Sequence, residues 1–321
     1  MQSKGNTIRR IDWSKYIVYL AFVVMFVFFS IWLFDKGFLT ANNILNISRQ
    51  TAMITIMAVA MTFVIGAAQI DLSVGAITAL ASLACALILQ ATDNIFLALV
   101  GAISLGAGVG ALNGFLTTKF KIPAFLVTLG TMNIIRGTAM WLTDTAAVPV
   151  SNKGFCFAFG IGDIFGIPVL LLWTILFVVF GVLLLNRTSF GKQTLATGGN
   201  EVAARFTGIK TNRIKLLTFV MSGAFAAFAG ILYTGRMQAG RYTFGDGDEM
   251  SVIAAVILGG TSMAGGSGSV FGAFIGSLLM GMINNGLILA GLDVSQQTII
   301  KGIIIILAVA LSNVSSRQKN R

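Results

Sequence analysis

The residues that could do chemistry in this chain are few. It contains no His and only two cysteines, Cys85 and Cys156, which excludes a His/Cys metal site and a disulfide framework. No GxxxxGK[ST] phosphate loop occurs, since the glycine-rich run GGTSMAGGSGS (259–269) lacks the lysine that would reach a nucleotide. The sequence therefore predicts no catalytic residue, no metal ion and no cofactor held by this chain.

The remaining candidates are polar side chains within or beside long apolar runs, where polar groups are costly and usually functional. Asp71, in the run IDLSVG, allows two interpretations. It belongs either to a helix break that lines a route or transmits motion, or, with Ser73, to the N-cap of the next helix, a role worth about 1 kcal/mol. The full set of candidates is Gln69, Asp71, Ser73, Thr128, Thr131, Asn133, Arg136, Asn284 and Asn285.

Four of these candidates share one apolar run, which predicts a polar stripe on a helix. Thr128 and Thr131 are three residues apart, and Asn133 and Arg136 repeat that spacing. Such a stripe should face a pore or another helix.

Three roles are open for Arg136. Its guanidinium could hydrogen-bond hydroxyl groups of a solute, pair with Asp144 or Asp163, or extend to the outer membrane interface. Asn284 and Asn285 are expected to join helices more often than to contact a solute.

The composition identifies the elements that position these residues. Of 321 residues, 56% are hydrophobic and only 10% are charged, whereas a soluble domain carries about 25% charged residues. An ordinary soluble enzyme, a disordered chain and a nucleic-acid-binding domain are excluded. We predict an all-α polytopic membrane protein of about ten spans, the third and eighth being short: 17–34, 51–69, 74–90, 95–118, 123–142, 167–185, 216–235, 250–264, 270–290 and 297–313.

The placement of the basic residues predicts the orientation. With both termini in the cytoplasm, 15 of the 22 Lys and Arg residues fall in inside segments, 5 in outside segments and 2 within spans. The net charge of +11 is thus a topology signal and requires no nucleic-acid partner. The predicted organisation is a cytoplasmic segment 1–16, one transmembrane domain 17–313 and a cytoplasmic tail 314–321.

Two stretches, 58–81 and 253–276, resemble each other. Each passes from an apolar helix through a break bearing glycine and serine into another helix of small residues. Either they form an internal repeat, or two glycine- and alanine-rich hairpins are alike by composition alone. Irregular backbone at membrane depth must be covered by protein or water, so both breaks should face the protein interior.

The one long cytoplasmic loop, 186–215, contains a predicted short helix, EVAARF (201–206). Asn200 is its N-cap, Glu201 lies favourably in the first turn, and Gly208 ends it. This helix either fits a partner's groove, or belongs to a solvated connector whose basic residues lie at lipid headgroups.

Several motifs in order resemble one family. GGNEVAARFTGI (198–209), IDLSVGAITAL (70–80), AAVILGGTSMAGGSGSVFGAFIG (254–276) and INNGL (283–287) are similar to the ribose/xylose/autoinducer-2-type branch of ABC importer permeases. The likeness extends from about residue 40 to 313. It implies a permease fold with broken helices. It also implies a membrane subunit that imports a monosaccharide across the bacterial inner membrane, and a ribose-like pentose is the expected monosaccharide.

The resemblance also implies partners. These are two ABC ATPase subunits or one fused two-domain ATPase, which hold ATP and Mg²⁺; a second permease copy or paralogue; a periplasmic sugar-binding protein; and membrane lipids. The run 198–209 resembles the EAA motif in the cytoplasmic loop of ABC importer permeases, and Val202 stands where the strict form of that motif has its first alanine. The residues assigned to the ATPase-coupling loop are Asn200, Glu201, Ala203, Ala204, Arg205 and Gly208.

The alternative function is a self-sufficient secondary transporter or facilitator for a small neutral solute. A proton- or sodium-coupled carrier usually needs embedded carboxylates or oxygen ligands near the midplane, and the predicted spans show no such relay. A membrane enzyme is disfavoured because no nucleophile–base cluster is present.

Overall fold

The computed structural model describes residues 17–319; the predicted cytoplasmic segment 1–16 and the last two residues of the predicted tail lie outside the described residues. The chain is built from helices joined by short connections. They are α1 (Ile17–Trp32), α2 (Ala41–Gly66), α3 (Val74–Thr92), α4 (Ile95–Lys119), α5 (Ala124–Leu142), α6 (Lys153–Cys156), α7 (Val169–Arg187), α8 (Ser189–Gly199), α9 (Glu201–Phe206), α10 (Thr211–Met237), α11 (Asp248–Leu258), α12 (Val270–Ala290) and α13 (Val294–Lys319). A 3₁₀ turn (Phe34–Lys36) follows α1, and a π-helical turn (Phe157–Ile161) follows α6.

Six of these helices, α2, α3, α4, α7, α10 and α12, are long and apolar enough to cross a membrane. The chain is therefore an all-α polytopic membrane protein. Each of the ten predicted spans overlaps a helix, but the count of ten spans stays a prediction. The predicted third span is long enough as α3, whereas the eighth forms only the 11-residue α11, about 16 Å long, which is short of a bilayer core of about 30 Å.

Four two-residue strands form two small antiparallel ribbons. β1 (Val148–Pro149) pairs with β4 (Ala239–Gly240), and β2 (Asp163–Ile164) pairs with β3 (Ile167–Pro168). The first ribbon joins the connection after α5 to the end of α10.

Helix α10 lies at the centre of the bundle and packs against α2, α3 and α4. Its approach to α4 depends on glycine. A Cβ at Gly223 of α10 would clash with the carbonyl of Gly106 of α4, and one at Gly110 would clash with the carbonyl of Phe219. Small residues allow this backbone contact, which is the usual way that membrane helices gain packing energy. The two helices are therefore held in direct contact.

The two predicted breaks meet each other. The break after α2 and the break between α11 and α12 are joined where the Gly266 amide donates to the Gly66 carbonyl, at 3.0 Å. Gly198, at the end of α8, lies against both of these glycines. Each break is thus covered here by protein, while the interpretation of the two stretches as an internal repeat stays a prediction.

The α4–α10 contact generates the first testable expectation. Gly223→Val should lower the thermal midpoint at which the detergent-solubilised protein loses its monodisperse peak, because the added side chain must push α4 away; overpacking typically costs about 1–3 kcal/mol. Gly108→Val is the matched control, since Gly108 lies on α4 with open space around its Cβ position. Equal midpoints for the two variants would contradict the close contact.

Candidate functional site

The predicted cytoplasmic loop folds into two helices. The helix over 201–206 is confirmed as α9: the Asn200 side chain accepts from the Ala203 amide at 2.9 Å, and Gly208 adopts a left-handed φ of 88° after the helix ends. The preceding helix, α8, was not predicted. Thr188 caps it by accepting from the Gly191 amide at 3.2 Å, a local signal that the sequence did contain.

Helix α8 is attached to the membrane bundle. Its Phe190 ring stacks on Phe63 of α2 with centroids 5.9 Å apart, and its Thr194 and Thr197 are buried. Because α9 follows α8 after the single residue Asn200, α8 fixes one end of α9 against the bundle.

Glu201 fixes α9 to α10. Its carboxylate accepts from Lys215 Nζ at 2.7 Å, from Arg205 Nη2 at 2.6 Å and from Thr211 Oγ1 at 3.2 Å. Partial burial opposes ionisation, but the hydrogen bond and charge of Lys215, followed by the hydrogen bonds of Arg205 and Thr211, hold the pKa of Glu201 below its ordinary value. Glu201 is therefore ionised at neutral pH and anchors α9 to α10.

The opposite face of α9 is apolar and open. Val202 is 65% exposed and Phe206 is 89% exposed, whereas Ala204 is buried against the protein. Ala203 and Gly208 are exposed beside them. Exposed apolar side chains on a helix that is capped and anchored on its other side form a surface suited to a partner.

Asp71 is the hub of a buried polar network. It is fully buried and accepts from the Ser73 amide at 2.9 Å, from Ser73 Oγ at 2.6 Å and from Ser222 Oγ of α10 at 2.8 Å. Ser73 Oγ in turn accepts from Asn113 of α4 at 2.9 Å, and Asn113 Oδ1 accepts from Thr131 of α5 at 2.7 Å. The network therefore joins α10, α4 and α5 to the start of α3.

The Asp71 contacts differ from those of an ordinary helix N-cap. Ser73 is the N-cap residue of α3 but its side chain makes no capping bond, and Asp71 bonds the Ser73 amide instead of the first-turn amides. Sequence reasoning missed Asn113 and Ser222, whose only signal is that they are polar residues in apolar runs. The side chain of Gln69, another predicted candidate, makes only local hydrogen bonds among the described residues, to the Ala67 and Ala68 carbonyls at 3.4 and 2.7 Å.

The predicted single stripe on α5 is wrong. Thr128 and Thr131 are buried, whereas Asn133 is exposed and its amide donates to the Leu129 carbonyl of its own helix. The cause is rotational: two residues along a helix turn it by about 200°, so Asn133 lies nearly opposite Thr131. Asn133 and Arg136 do lie on the same side of α5, which is exposed at Asn133 and half-buried at Arg136.

Arg136 pairs with a carboxylate that the sequence did not indicate. Its Nη1 lies 3.1 Å from Asp246 Oδ1, on the segment before α11. The predicted partners were wrong: Asp163 pairs with Arg49 at 3.1 Å, and Asp144 forms no ion pair with Arg136.

Asn284 and Asn285 have different environments. Asn285 exchanges hydrogen bonds with Asn43 of α2, at 3.1 and 2.9 Å, and so joins α12 to α2. Asn284 instead lines a cavity of about 290 Å³ between α2, α10, α11, α12 and α13, and its buried Oδ1 has no hydrogen-bond partner within the described residues. The same cavity contains Arg236, Lys301 and the Tyr233–Asp248 hydrogen bond of 2.7 Å.

Comparison of the sequence with known proteins identifies a family. Residues 43–309 match the family described as the permease component of branched-chain amino acid transport systems. The chain belongs to this permease family. The matched range contains the Asp71 network, helix α9 and the Arg136–Asp246 pair.

Curated relatives of this permease match it over nearly their whole length. It is 41% identical to the ribose import permease protein RbsC of Escherichia coli (strain K12) over 287 residues, covering 87% of this chain and 88% of the relative. It is 40% identical to RbsC of Bacillus subtilis (strain 168), with 88% of each chain covered. The L-arabinose transport system permease protein AraH of Escherichia coli (strain K12) is 34% identical, covering 96% of this chain and 93% of the relative. No solved structure matches the chain.

The ionised Glu201 predicts how the permease loop responds to acid. Because the pKa of folded Glu201 is lowered, its stabilisation is complete above the ordinary value of about 4.3 and is lost as the pH falls through the lowered value. Hydrogen exchange of residues 200–210, corrected for intrinsic rates, should stay slow from pH 8 to pH 5 and accelerate below. Glu201→Gln should exchange faster at pH 7 and show a weaker acid response; identical profiles would contradict the anchoring role.

The Asp71 network generates a stability prediction. Asp71→Ala should lower the free energy of unfolding of the permease in detergent by at least about 1 kcal/mol, because both serines lose their buried acceptor. The measurement is the thermal midpoint of the monodisperse peak. Gln69→Ala is the control, since Gln69 bonds only to its own loop, and it should leave the midpoint nearly unchanged.

Proposed function

We propose that this chain is the membrane subunit of an ABC importer that moves a ribose-like pentose across the bacterial inner membrane into the cytoplasm. The substrate class rests on the relatives, two of which are named for ribose import and one for L-arabinose transport. Both sugars are pentoses. A periplasmic sugar-binding protein would deliver the solute, and separate subunits would hydrolyse ATP.

The observation that carries this proposal is the docking helix α9. Phe206 and Val202 extend from a helix that Asn200 caps and that Glu201 anchors to α10. We propose that these two side chains enter a groove on an ATPase subunit, or on one half of a fused two-domain ATPase. Movement of that groove would then pass through Glu201 and Lys215 into α10. This chain supplies the contact, while ATP and Mg²⁺ stay on the partner.

The proposed topology has ten spans and both termini in the cytoplasm. Contacts within the described residues support it, because predicted outside segments touch one another: Arg49 pairs with Asp163, and β1 pairs with β4. Gly198 and Gly266, in two predicted inside segments, likewise meet each other and Gly66, at the predicted inner end of the second span. The single domain would run from 17 to 313, with the coupling loop at 186–215.

A second permease, either another copy or a paralogue, is proposed to cover the outer face of α5. Asn133 lies exposed there, between Gly130 and Gly137, which have open space around their Cβ positions. An exposed carboxamide near the middle of a membrane helix is unfavourable against lipid. We place the solute pathway between the two permeases, against this face.

The experiment is to reconstitute the permease with its ATPase and binding protein and to measure ribose uptake. Phe206→Ala should reduce both ATPase co-purification and ATP-driven uptake about tenfold or more, because truncating a central aromatic contact commonly costs at least 2 kcal/mol. Phe120→Ala is the matched control: Phe120 is 61% exposed in the predicted inside connection between α4 and α5.

Two outcomes would contradict the proposal. If Phe206→Ala and Phe120→Ala behave alike, α9 is not the docking element. If the purified permease accumulates ribose against a gradient without companions, it is a self-sufficient transporter.

A further inference from the structure

The segment between β4 and α11 descends along α3. Gly240 lies against Leu83 and Ala86, from the middle of α3 onward, whereas Gly245 lies against Gly75 and Thr78, near the start of α3. Eight residues of helix separate Leu83 from Gly75, so the segment descends about 12 Å. Because α3 is one of the six apolar helices, this irregular backbone lies at membrane depth and must be covered by protein or by water.

One side of this segment is covered by protein. Phe244 stacks on Tyr233 of α10 with ring centroids 5.3 Å apart, and Gly245 is buried against α3. The other side is open: the Asp246 side chain is 71% exposed, and Thr243 and Gly247 are also exposed. A carboxylate at this depth is unfavourable in contact with lipid, so this side must meet water or the proposed second permease.

The open side continues onto α5. Arg136 pairs with Asp246, and Asn133, three residues before Arg136, lies on the same face of α5. Thr131, five residues before Arg136, reaches Ser73 through Asn113. Arg136 is therefore only about 7 Å further along α5 than the buried network, well inside the helix. The half-buried Arg136 guanidinium thus lies beside the exposed Asp246 carboxylate and about one helical turn from the exposed Asn133 carboxamide, inside the membrane region.

We propose that Asn133, Arg136 and Asp246 form a hydroxyl-binding subsite of a water-filled solute pathway. The subsite rests on the proposed function, which it deepens by naming residues that bind the solute and select it. The carboxylate accepts from hydroxyls, the guanidinium donates to them, and the carboxamide does both. Since the two charges cancel, the patch suits a neutral polyhydroxylated solute better than an anion. The ion pair joins Nη1 to Oδ1, which leaves Asp246 Oδ2 able to accept from a solute hydroxyl.

The first test asks whether the patch meets water, and it needs no substrate. In a background in which the buried Cys85 and Cys156 are replaced by alanine, Asn133→Cys and Ile134→Cys are labelled with a charged, membrane-impermeant thiol reagent from the outer side. Ile134 is the matched control, because it is 70% exposed on the same helix and apolar. Asn133→Cys should react at least tenfold faster. Equal rates, or no reaction at Asn133→Cys, would overturn the proposal.

The second test asks whether the ion pair binds the solute or only stabilises the fold. Asp246→Asn should lower ribose uptake per ATP hydrolysed about tenfold in the reconstituted importer. Asp163→Asn should leave this ratio unchanged, because it removes an ion pair of the same 3.1 Å length elsewhere on the predicted outer side. The charge swap Arg136→Asp/Asp246→Arg restores an ion pair but moves the carboxylate, so uptake should stay low.

Recovery of uptake in the charge swap would overturn the subsite, since it would assign a purely structural role to the pair. A wild-type importer that hydrolyses ATP but moves no ribose would instead contradict the proposed substrate. The labelling experiment would still decide whether the patch lines a water-filled pathway.

Discussion

The structure depends on one constraint: a polar group inside the membrane must be satisfied by protein or by water. At Asp71, in the interior of the bundle, protein groups satisfy it. Asp71 has three hydrogen-bond donors from two serines, and Asn113 continues the network to α5. Asn133 on α5 and Asp246 before α11 are instead exposed. The proposed solute subsite therefore differs from the Asp71 network in being open on one side.

Local features were predictable from the sequence because their causes are local. Ten apolar runs each overlap a helix, and α9 with its Asn200 cap lies where the run NEVAARFTG places it. Capping needs only residues three positions apart, and a membrane helix needs only sufficient apolar length. Helix α8 was not predicted, although Thr188 caps it, because the motif in this loop that indicates a helix begins only at Asn200.

Non-local features were not predictable in this way. The pairing of Arg136 with Asp246 requires the segment after β4 to descend along α3, a path that no spacing in the sequence encodes. Ser222 bonds Asp71 across 151 positions. The stripe on α5 failed for a simpler reason: the two i, i+3 pairs are offset by five residues, which rotates one pair by about 140° from the other around the helix. Pair spacing indicates a surface only when the rotation between the pairs is also counted.

Helix α10 connects the two ends of the molecule at which the proposed function acts. Over its 27 residues, about 40 Å, it carries Lys215, which holds the docking helix, Ser222, which bonds Asp71, and Tyr233, which stacks on the segment bearing Asp246. Glycine contacts hold it directly against α4. Because a helix packed backbone to backbone with its neighbour resists bending, displacement of α9 would move α4 and the outer segment together with α10. Under the proposed function, a push by the ATPase on α9 would in this way become a change around the solute near the other end of α10.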